Sequence, residues 1–313
     1  MTRILTDADV ERLPMQAAVD CMEDAFRRHA AGTLLAPSRL VRDVRVGKMV
    51  FTVGASTADD PVVGFRYYDL EHLYSQQLTA VFDARDGSIV GLVTGPLLGA
   101  VRTGAIGGVA IKHLARRDTQ TLGILGTGYQ ARTQLAAAIA VREFETIRVF
   151  SRDAARRQEF AEEMSRRLDR GITTVDAPQA AVEDADVLVC ATTSATPLVP
   201  ADWLKPGVHI NNVGPKFKQQ HELGMDVVQR ATRFVTDAPA QLEACGDDFL
   251  LHDTQWSGAV ENLSAIVAHA ADDDEPAATR QPSEISLFIS MGLAGTEVLL
   301  AKKLLAVTSP DQT

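Results

Sequence analysis

The apolar positions of the first hundred residues predict a mixture of helix and strand. A helix start is indicated at 6–9, and a helix over 14–31 would turn one apolar stripe toward a core, formed by Ala18, Cys21, Met22, Ala25 and Phe26. Short runs typical of strands follow at 50–53, 78–82 and 89–93, and a turn over 83–87 joins the last two as a hairpin. From Arg102 through Leu114 the spacing becomes helical again.

After residue 118, short apolar runs alternate with helix-like segments. Strands are predicted at 122–125, 146–150, 187–191, 209–213 and 234–236, and helices at 131–141 and 154–168. This alternation predicts an α/β architecture on a doubly wound parallel sheet with right-handed crossovers. An acidic surface loop at 272–276, a strand at 285–289 and a long helix at 295–307 complete the predicted order.

Composition and charge narrow the function classes. The chain has 313 residues, of which 46% are hydrophobic and 23% charged, which is typical of a globular protein of one or two domains. Its net charge of −10 and the lack of a Lys/Arg run argue against nucleic acid and membrane as partners. The charged N-terminus, the lack of an apolar stretch of spanning length and three separated cysteines favour a cytoplasmic protein. Seven histidines without ligand spacing predict no catalytic metal.

A glycine-rich turn follows the first strand of the alternating region. It has the G-x-G-x-x-A pattern of a dinucleotide-binding turn, spelled Gly126-Thr127-Gly128-Tyr129-Gln130-Ala131. The first glycine permits the tight turn, the second lets the backbone approach a pyrophosphate, and the alanine allows helix and strand to pack closely. The helix N-terminus then offers free N–H groups to phosphate. Such a turn can also occur without a ligand, but its place between strand and helix favours a nicotinamide dinucleotide.

The end of the second strand bears on the choice between NADP and NAD. An acidic residue at that point would hold the ribose 2′-OH of NAD. This chain instead has Ser151-Arg152, with Asp153 one place later. Because a hydroxyl and a guanidinium suit a 2′-phosphate, we expect NADP(H), with NAD less favoured. The alternative is that Arg152 only begins the next helix on the surface.

Several separated motifs, together with the glycine turn, give the chain a family resemblance. They are Val101-Arg102-Thr103-Gly104-Ala105, Thr192-Thr193-Ser194, Leu204-Lys205-Pro206-Gly207, Val213-Gly214, Glu222-Leu223 and Phe288-Ile289-Ser290-Met291-Gly292-Leu293-Ala294. In this order they resemble the ornithine cyclodeaminase and mu-crystallin family along nearly the whole chain. The resemblance implies a usually homodimeric protein of two domains. Residues 1–112 and 285–313 would form a substrate and dimerisation domain of mixed α+β structure, and residues 113–284 a Rossmann domain.

The resemblance also implies an activity. Members of this family transfer hydride between a nicotinamide and the Cα of an amino or imino acid. We therefore expect an NADP-dependent oxidoreductase that reduces an imino or 2-oxo acid at the carbon next to its carboxylate. A cyclodeaminase acting on ornithine or lysine, and an NADPH-dependent ligand-binding protein of the mu-crystallin kind, are the alternatives.

Basic residues are implied to hold the substrate carboxylate. Arg39 and Arg102 match two arginines of the family, and Arg66 stands where a cyclodeaminase has its lysine. A guanidinium pairs with a carboxylate through two parallel hydrogen bonds and so orients Cα toward the nicotinamide. Arg66 is a catalytic candidate by position, although arginine stays protonated and is suited to anchoring rather than to proton transfer. Each of the three could instead form a surface ion pair.

A lysine stands where the cyclodeaminase has an acidic residue. Lys216 lies two places after Val213-Gly214, at the position whose carboxylate would bind the distal amine of ornithine. A cation there repels a diamino acid, which argues against ornithine cyclisation. Lys216 could bind a second carboxylate, or it could donate a proton if burial lowers its pKa. It could also be a solvated loop lysine.

Further contacts follow from the resemblance. Gln77 and Gly292 are expected to face the substrate, and Glu297 to orient an arginine. Besides the glycine turn, Ser151 and Arg152, the residues expected to contact the cofactor are Arg102, Thr103, Thr192, Asn212, Val213 and Met291.

Overall fold

The computed structural model describes residues 2–72, 75–272 and 281–308. The strands of this part are β1 (Arg3–Leu5), β2 (Leu34–Leu35), β3 (Leu40–Asp43), β4 (Lys48–Ser56), β5 (Val62–Asp69), β6 (Leu78–Asp83), β7 (Ile89–Thr94), β8 (Thr121–Leu125), β9 (Thr146–Phe150), β10 (Thr173–Thr174), β11 (Val187–Cys190), β12 (His209–Asn212), β13 (Lys216–Phe217), β14 (Gln220–His221), β15 (Arg233–Thr236), β16 (Val260–Asn262) and β17 (Ser286–Ile289). The helices are α1 (Asp7–Val10), α2 (Met15–Ala30), α3 (Leu97–Leu114), α4 (Tyr129–Val141), α5 (Ala154–Leu168), α6 (Pro178–Val182), α7 (Met225–Arg230), α8 (Pro239–Ala244), α9 (Leu263–Asp272) and α10 (Thr296–Val307). Within the described ranges, no helix combines the length and apolarity needed to cross a bilayer.

The first sheet is largely antiparallel and comes from the N-terminal third of the chain. Its order is β1-β7-β6-β5-β4-β2, with β3 pairing with β4. The predicted strands at 50–53, 78–82 and 89–93 lie within β4, β6 and β7, and β6 pairs with β7 as the predicted hairpin.

Strand β5 was not predicted, and its inward face explains why. The positions of β5 that point inward include Gly64 and Arg66, whereas Phe65 and Tyr67 point outward and are half-buried. Ordinary alternation places apolar residues on the buried face, so this strand shows the reverse of the expected pattern. In register with Arg66, the neighbouring strands carry Thr52 and Thr79, which puts three buried polar residues in one row across the sheet.

The second sheet is the predicted doubly wound parallel sheet. Its order is β10-β9-β8-β11-β12-β17-β15-β16, and its pairs are parallel throughout. Strand order reverses beside β8, because β9 lies on one side of it and β11 on the other. In sheets of this kind, ligands bind at the carboxyl ends of the strands next to such a reversal. The fold class is therefore confirmed.

After Ile289 the chain leaves the second sheet and returns to the first sheet. Strand β17 lies between β12 and β15 of the parallel sheet, so these residues do not join the first sheet as the predicted boundary at 285 implied. Helix α10 then packs against β5 and β6 of the first sheet. We call residues 290–295, which connect the two, the crossing segment. The rest of the predicted domain division stays a prediction, and 273–276 of the acidic loop and 309–313 lie outside the described residues.

Helix α3 begins at Leu97, five residues before the predicted start at Arg102. The added turn is Leu-Leu-Gly-Ala-Val, which has no polar face to reveal a helical period. Nearly every residue of α3 is buried, since it packs against both α2 and α4. Arg102 and Thr103 therefore lie in the second turn of a helix held on both sides.

A buried carboxylate ties α2 to α3. Glu23 accepts hydrogen bonds from His113 Nε2 at 2.9 Å and from Lys112 Nζ at 2.7 Å. Burial raises the pKa of Glu23, but hydrogen bonds from His113 and Lys112 outweigh this and lower the pKa from 4.5 to about 2. Because the folded pKa is depressed, the stabilisation is complete above about pH 4.5 and is lost as pH falls toward 2.

Replacing Glu23 should therefore destabilise the fold in a pH-dependent way. We expect Glu23→Gln to lower the free energy of unfolding by roughly 1–3 kcal/mol at neutral pH, because the buried His113 and the more exposed Lys112 lose a charged acceptor. The difference from wild type should shrink as pH falls toward 2, measured by denaturant unfolding along a pH series. Asp24→Asn is the matched control, since the neighbouring Asp24 forms only an exposed pair with Arg28. A deficit in Glu23→Gln that is constant with pH would contradict the assigned ion pair.

Candidate active site

The glycine turn has the geometry that the sequence predicts. Gly126 has φ +106°, a conformation that side chains disfavour, and an added Cβ would lie 2.4 Å from the carbonyl oxygen of Ala191. Its N–H donates to Phe150 O at 2.8 Å, which holds the turn that follows β8 against the end of β9. A larger residue at this position would displace the backbone of the neighbouring strand.

The N-terminus of α4 is open toward solvent above this turn. Gly128 is the N-cap, no side chain caps the helix, and a Cβ on Gly128 would meet no atom within 4 Å. Arg132 steadies the turn by donating to Thr127 O at 2.8 Å, and Ala131 is fully buried. Free helix N–H groups beside an unobstructed backbone fit the pyrophosphate of a dinucleotide. In the same helix, Gln130 Oε1 is a buried acceptor without a partner within the described part of the chain.

The end of β9 presents one guanidinium without an ion partner. Ser151 Oγ donates to Asp153 O at 3.1 Å, and the Asp153 carboxylate caps α5 by accepting from Arg156 N at 3.1 Å. Asp153 is thus used by the helix start. The side chain of Arg152 is exposed and makes no hydrogen bond or ion pair with the residues that the structure describes. Both groups of the predicted 2′-phosphate site therefore stand at the edge of the turn.

Three arginines from different elements converge near the crossing segment. Arg66 of β5 and Arg102 of α3 both donate to Oε1 of Glu297, which is the first-turn carboxylate of α10, and the Arg66 contact is 3.2 Å. Glu297 is 1% exposed. Burial raises the pKa of Glu297, but Arg102 and Arg66 outweigh burial and leave the pKa below its ordinary value. Glu297 is therefore an anion that orients two guanidiniums, as predicted for one of them.

Arg66 is fixed on three sides. Its Nε donates to Gln77 Oε1 at 3.0 Å, and its guanidinium lies 4.6 Å from the ring centroid of Tyr68. Burial lowers the pKa of Arg66, and Glu297 partly offsets that effect. A guanidinium nevertheless remains charged at ordinary pH, so Arg66 is a fixed cation. Gln77, predicted to face the substrate, is the residue that holds it.

Arg39 approaches the same place from the loop before β3. Its Nη2 donates to the carbonyl oxygens of Met291 and Gly292, the latter at 3.3 Å. Gly292 has φ +85°, and an added Cβ would lie 2.4 Å from Arg39 Nη2 and 2.6 Å from Arg102 Nη1. Only glycine leaves room between these two guanidiniums. The arginine cluster, Arg39, Arg66 and Arg102, thus gathers three cations around one carboxylate.

Lys216 is buried rather than solvated. It is 8% exposed, and its Nζ donates to Ser290 O at 2.8 Å and to Val213 O at 3.2 Å. Burial lowers the pKa of Lys216 to about 8, against the opposing effect of Glu222 and Asp237. An ammonium has three N–H donors, and the described residues supply acceptors for two of them. A lysine of this pKa can exchange a proton near neutral pH.

Two buried carboxylates shape the ends of the central strands, and neither was assigned a role from the sequence. Glu222 accepts from Thr192 N at 2.9 Å, Asn212 Nδ2 at 2.8 Å and Gly214 N at 2.7 Å. It thereby joins the carboxyl ends of β11 and β12, where Thr192, Asn212 and Val213 were predicted to approach the cofactor. Asp237, directly after β15, accepts from three backbone N–H groups of the crossing segment. A polar residue immediately after a parallel strand is the signal that could have indicated it.

The remaining predicted residues lie on the framework of the site. Thr103 donates to Gly99 O at 2.9 Å within α3, and its own carbonyl accepts from Gln134 Nε2 of α4 at 3.0 Å. Thr103 thereby links the arginine cluster to the helix that follows the glycine turn. The only described group of three possible metal-ligating side chains is Asp247, His252 and Asp253, of which both carboxylates are exposed. The absence of a catalytic metal stays a prediction.

Comparisons with known proteins place the chain among its relatives. A sequence profile of the Ornithine cyclodeaminase/mu-crystallin family matches residues 1–305. A Delta(1)-pyrroline-2-carboxylate reductase of Bacillus cereus is 33% identical over 225 residues, covering 71% of this chain and 68% of that protein. The ketimine reductase mu-crystallin of Rattus norvegicus is 28% identical over 227 residues, covering 72% and 68%.

A solved structure extends the likeness to the whole fold. The Thermococcus litoralis Delta(1)-pyrroline-2-carboxylate reductase, in complex with NADH and L-proline, superposes with a TM-score of 0.82 at 28% identity and covers 97% of both chains. The chain therefore belongs to the ornithine cyclodeaminase/mu-crystallin family, and it is an NAD(P)-dependent oxidoreductase that acts on C–N bonds.

Proposed function

We propose that this chain reduces an imino acid, or a 2-oxo acid together with an amine, at the carbon next to the carboxylate, with NADPH as reductant. The observation that carries the proposal is the arginine cluster, where Arg66 and Arg102 share the single carboxylate of Glu297 and the guanidinium of Arg39 donates only to backbone carbonyls in the described part of the chain. The names of the relatives agree with it, since they are reductases of a cyclic imino acid and of ketimines.

The charge balance of the cluster favours an anionic substrate. An unpaired buried cation is costly, and one carboxylate cannot satisfy three guanidiniums. The Nε atoms of Arg39 and Arg102 are buried without acceptors in the described part of the chain. A substrate carboxylate would supply the missing charge and acceptors. Bidentate pairing would also fix the neighbouring carbon in one orientation.

The bound nicotinamide supplies the hydride, and the protein would supply orientation and a proton. Lys216 would donate its third N–H to the substrate nitrogen or oxygen and transfer a proton to it as the carbon is reduced. A cation at this position also disfavours a diamino acid, because its distal ammonium would meet a like charge. This supports imine reduction over the cyclodeaminase alternative.

We propose NADP as the cofactor, and the residues at the end of β9 support this choice. Arg152 is exposed and Asp153 is committed to the cap of α5, so a phosphate would meet a guanidinium rather than a carboxylate. NAD lacks the 2′-phosphate and so would not make this contact.

We also propose a homodimer. The outward face of the first sheet carries a row of aromatic side chains, with ring centroids 5.3 Å apart between Phe51 and Tyr67 and 6.4 Å apart between Phe65 and Phe82. Val53 on the same face is 44% exposed. A continuous apolar face of this kind is typical of a subunit interface.

An activity screen tests the proposed reaction. NADPH oxidation is followed with Delta(1)-pyrroline-2-carboxylate, larger cyclic imines, and 2-oxo acids with and without ammonia or methylamine. Turnover of an imine carboxylate supports the proposal. Release of ammonia from ornithine or lysine without net change in NADP(H) supports the cyclodeaminase instead, and tight NADPH binding without turnover across the panel supports a binding protein.

Removing one guanidinium of the cluster should weaken substrate use selectively. For Arg39→Met we expect kcat/KM for the imino acid to fall roughly 10- to 100-fold, which corresponds to the loss of one charge-assisted contact. The KM for NADPH should change little. Arg42→Met is the control, since Arg42 is exposed on β3 and bonds only the neighbouring Val41 O in the described structure. Equal effects of the two variants would remove Arg39 from substrate binding.

Lys216 should set the alkaline side of the pH profile. Because protonated Lys216 is the proposed proton donor, kcat should fall as pH rises through an apparent pKa of about 8. Lys216→Met should lower kcat by about 10²- to 10⁴-fold and abolish this alkaline limb, as measured by initial rates across the pH range. An unchanged profile in the variant would exclude Lys216 as the donor.

Arg152 should determine cofactor preference. Arg152→Ala is expected to raise the KM for NADPH roughly 10- to 100-fold while leaving that for NADH nearly unchanged, since only the 2′-phosphate loses a contact. Arg156→Ala serves as control because Arg156 is also exposed but lies in the first turn of α5, where it pairs with Asp153. A larger effect of Arg156→Ala on the KM for NADPH would show that Arg152 does not determine the cofactor preference. Tighter binding of NADH than of NADPH by the wild type would contradict the proposal of NADP itself.

A further inference from the structure

The backbone of the crossing segment is hydrogen-bonded on two opposite sides. The N–H groups of Met291, Gly292 and Leu293 all donate to the carboxylate of Asp237, at 2.7, 2.8 and 3.2 Å. Asp237 is fully buried and stands at the carboxyl end of β15, beside the end of β17. One carboxylate therefore holds three consecutive peptide groups.

The opposite side of the same peptide groups carries the basic residues. Ser290 O accepts from Lys216 Nζ at 2.8 Å, and the oxygens of Met291 and Gly292 accept from Arg39 Nη2. In a trans peptide, the N–H of one residue and the C=O of the residue before it point in opposite directions. Each N–H held by Asp237 thus belongs to the same peptide plane as one carbonyl that holds Lys216 or Arg39.

We propose that Asp237 is a positioning residue that aligns Lys216 and Arg39 through the three peptide groups between 290 and 293. It takes all three N–H groups on one side and so turns all three carbonyl oxygens toward the two cations. The inference rests on the proposed function for the roles of Lys216 and Arg39, but the geometric coupling does not depend on which substrate is used.

Asp237 should also act on the proton of Lys216. The charged or titratable groups around that ammonium are Glu222, Asp237, Arg39 and Cys245, of which Asp237 and Glu222 favour its charged form and Arg39 opposes it. Removing the charge of Asp237 therefore favours the neutral lysine. It also releases Ser290 O, which stabilises the ammonium by a hydrogen bond.

Asp237→Asn is the direct test because it replaces one carboxylate oxygen, which is an acceptor, by an NH2 donor with little change in volume. An amide has one acceptor oxygen, and its NH2 group would face backbone N–H groups that need an acceptor. We expect the pKa of Lys216 to fall by roughly one unit, as when an opposite charge is removed at short range. The KM for Delta(1)-pyrroline-2-carboxylate should rise about tenfold or more through displacement of Arg39, since a lost hydrogen bond to a charged group has about that effect.

The matched control is Asp186→Asn. Asp186 is 3% exposed and also accepts two backbone N–H groups, from Gln120 at 2.8 Å and Thr121 at 3.0 Å. It lies just before β11, at the opposite end of the parallel sheet. Both variants should lower Tm, whereas only Asp237→Asn should shift the pKa of Lys216, the KM and the alkaline limb of the pH profile.

The pKa is measured by NMR titration of cofactor-free protein with isotope-labelled lysine, with Lys216→Met identifying the signal. This readout needs no turnover, so it stays decisive if wild type reduces no imine and the proposed function fails. Asp237→Ser, which removes the charge without adding an NH2 group, takes the place of Asp237→Asn if that variant does not fold. The inference is overturned if the Asp237 variant resembles Asp186→Asn, with a lower Tm but an unchanged Lys216 pKa and KM.

Discussion

The constraint on which the site depends is the buried carboxylate of Glu297 between Arg66 and Arg102. These arginines come from a strand of the first sheet and from the helix that leads to the second, and Glu297 comes from the last helix of the described chain. Two buried guanidiniums would repel each other without an anion between them. Glu297 therefore allows two distant segments to bring cations to one place. Because Glu297 is already shared, the cluster keeps an excess of positive charge for a ligand.

The crossing segment connects this electrostatic centre to the dinucleotide fold. It leaves the parallel sheet at Ile289, beside the strand ends tied together by Glu222, and enters α10 just before Glu297. Its carbonyl oxygens contact Lys216 and Arg39, and its Gly292 leaves space between Arg39 and Arg102. One short stretch of backbone therefore contacts the proposed substrate anchor Arg39, the proposed proton donor Lys216 and the end of β12, where the cofactor is predicted to lie.

The sequence predicted most of the parallel sheet because strands such as β8 and β11 are short apolar runs that follow polar residues. The glycine turn is recognisable from residue type and order, whereas the three arginines were implied by the family resemblance. The sequence pattern missed β5, whose buried face carries glycine and arginine, and it placed the start of α3 late because that turn is apolar on all sides. The resemblance indicated that Glu297 orients one arginine. That Glu297 binds two, and that Asp237 holds the backbone contacted by Lys216 and Arg39, could not be predicted, since these contacts join residues far apart in the chain.

Isotope transfer addresses the central claim, hydride delivery to the carbon beside an anchored carboxylate, most directly. Delta(1)-pyrroline-2-carboxylate would be incubated with NADPH carrying deuterium at the transferred position of the nicotinamide, and the product would be analysed by mass spectrometry and NMR. Hydride delivery to Cα should place one deuterium at Cα of the product for each NADPH oxidised. A product without deuterium at Cα, or a reaction that releases ammonia while the label returns to the cofactor, would contradict it.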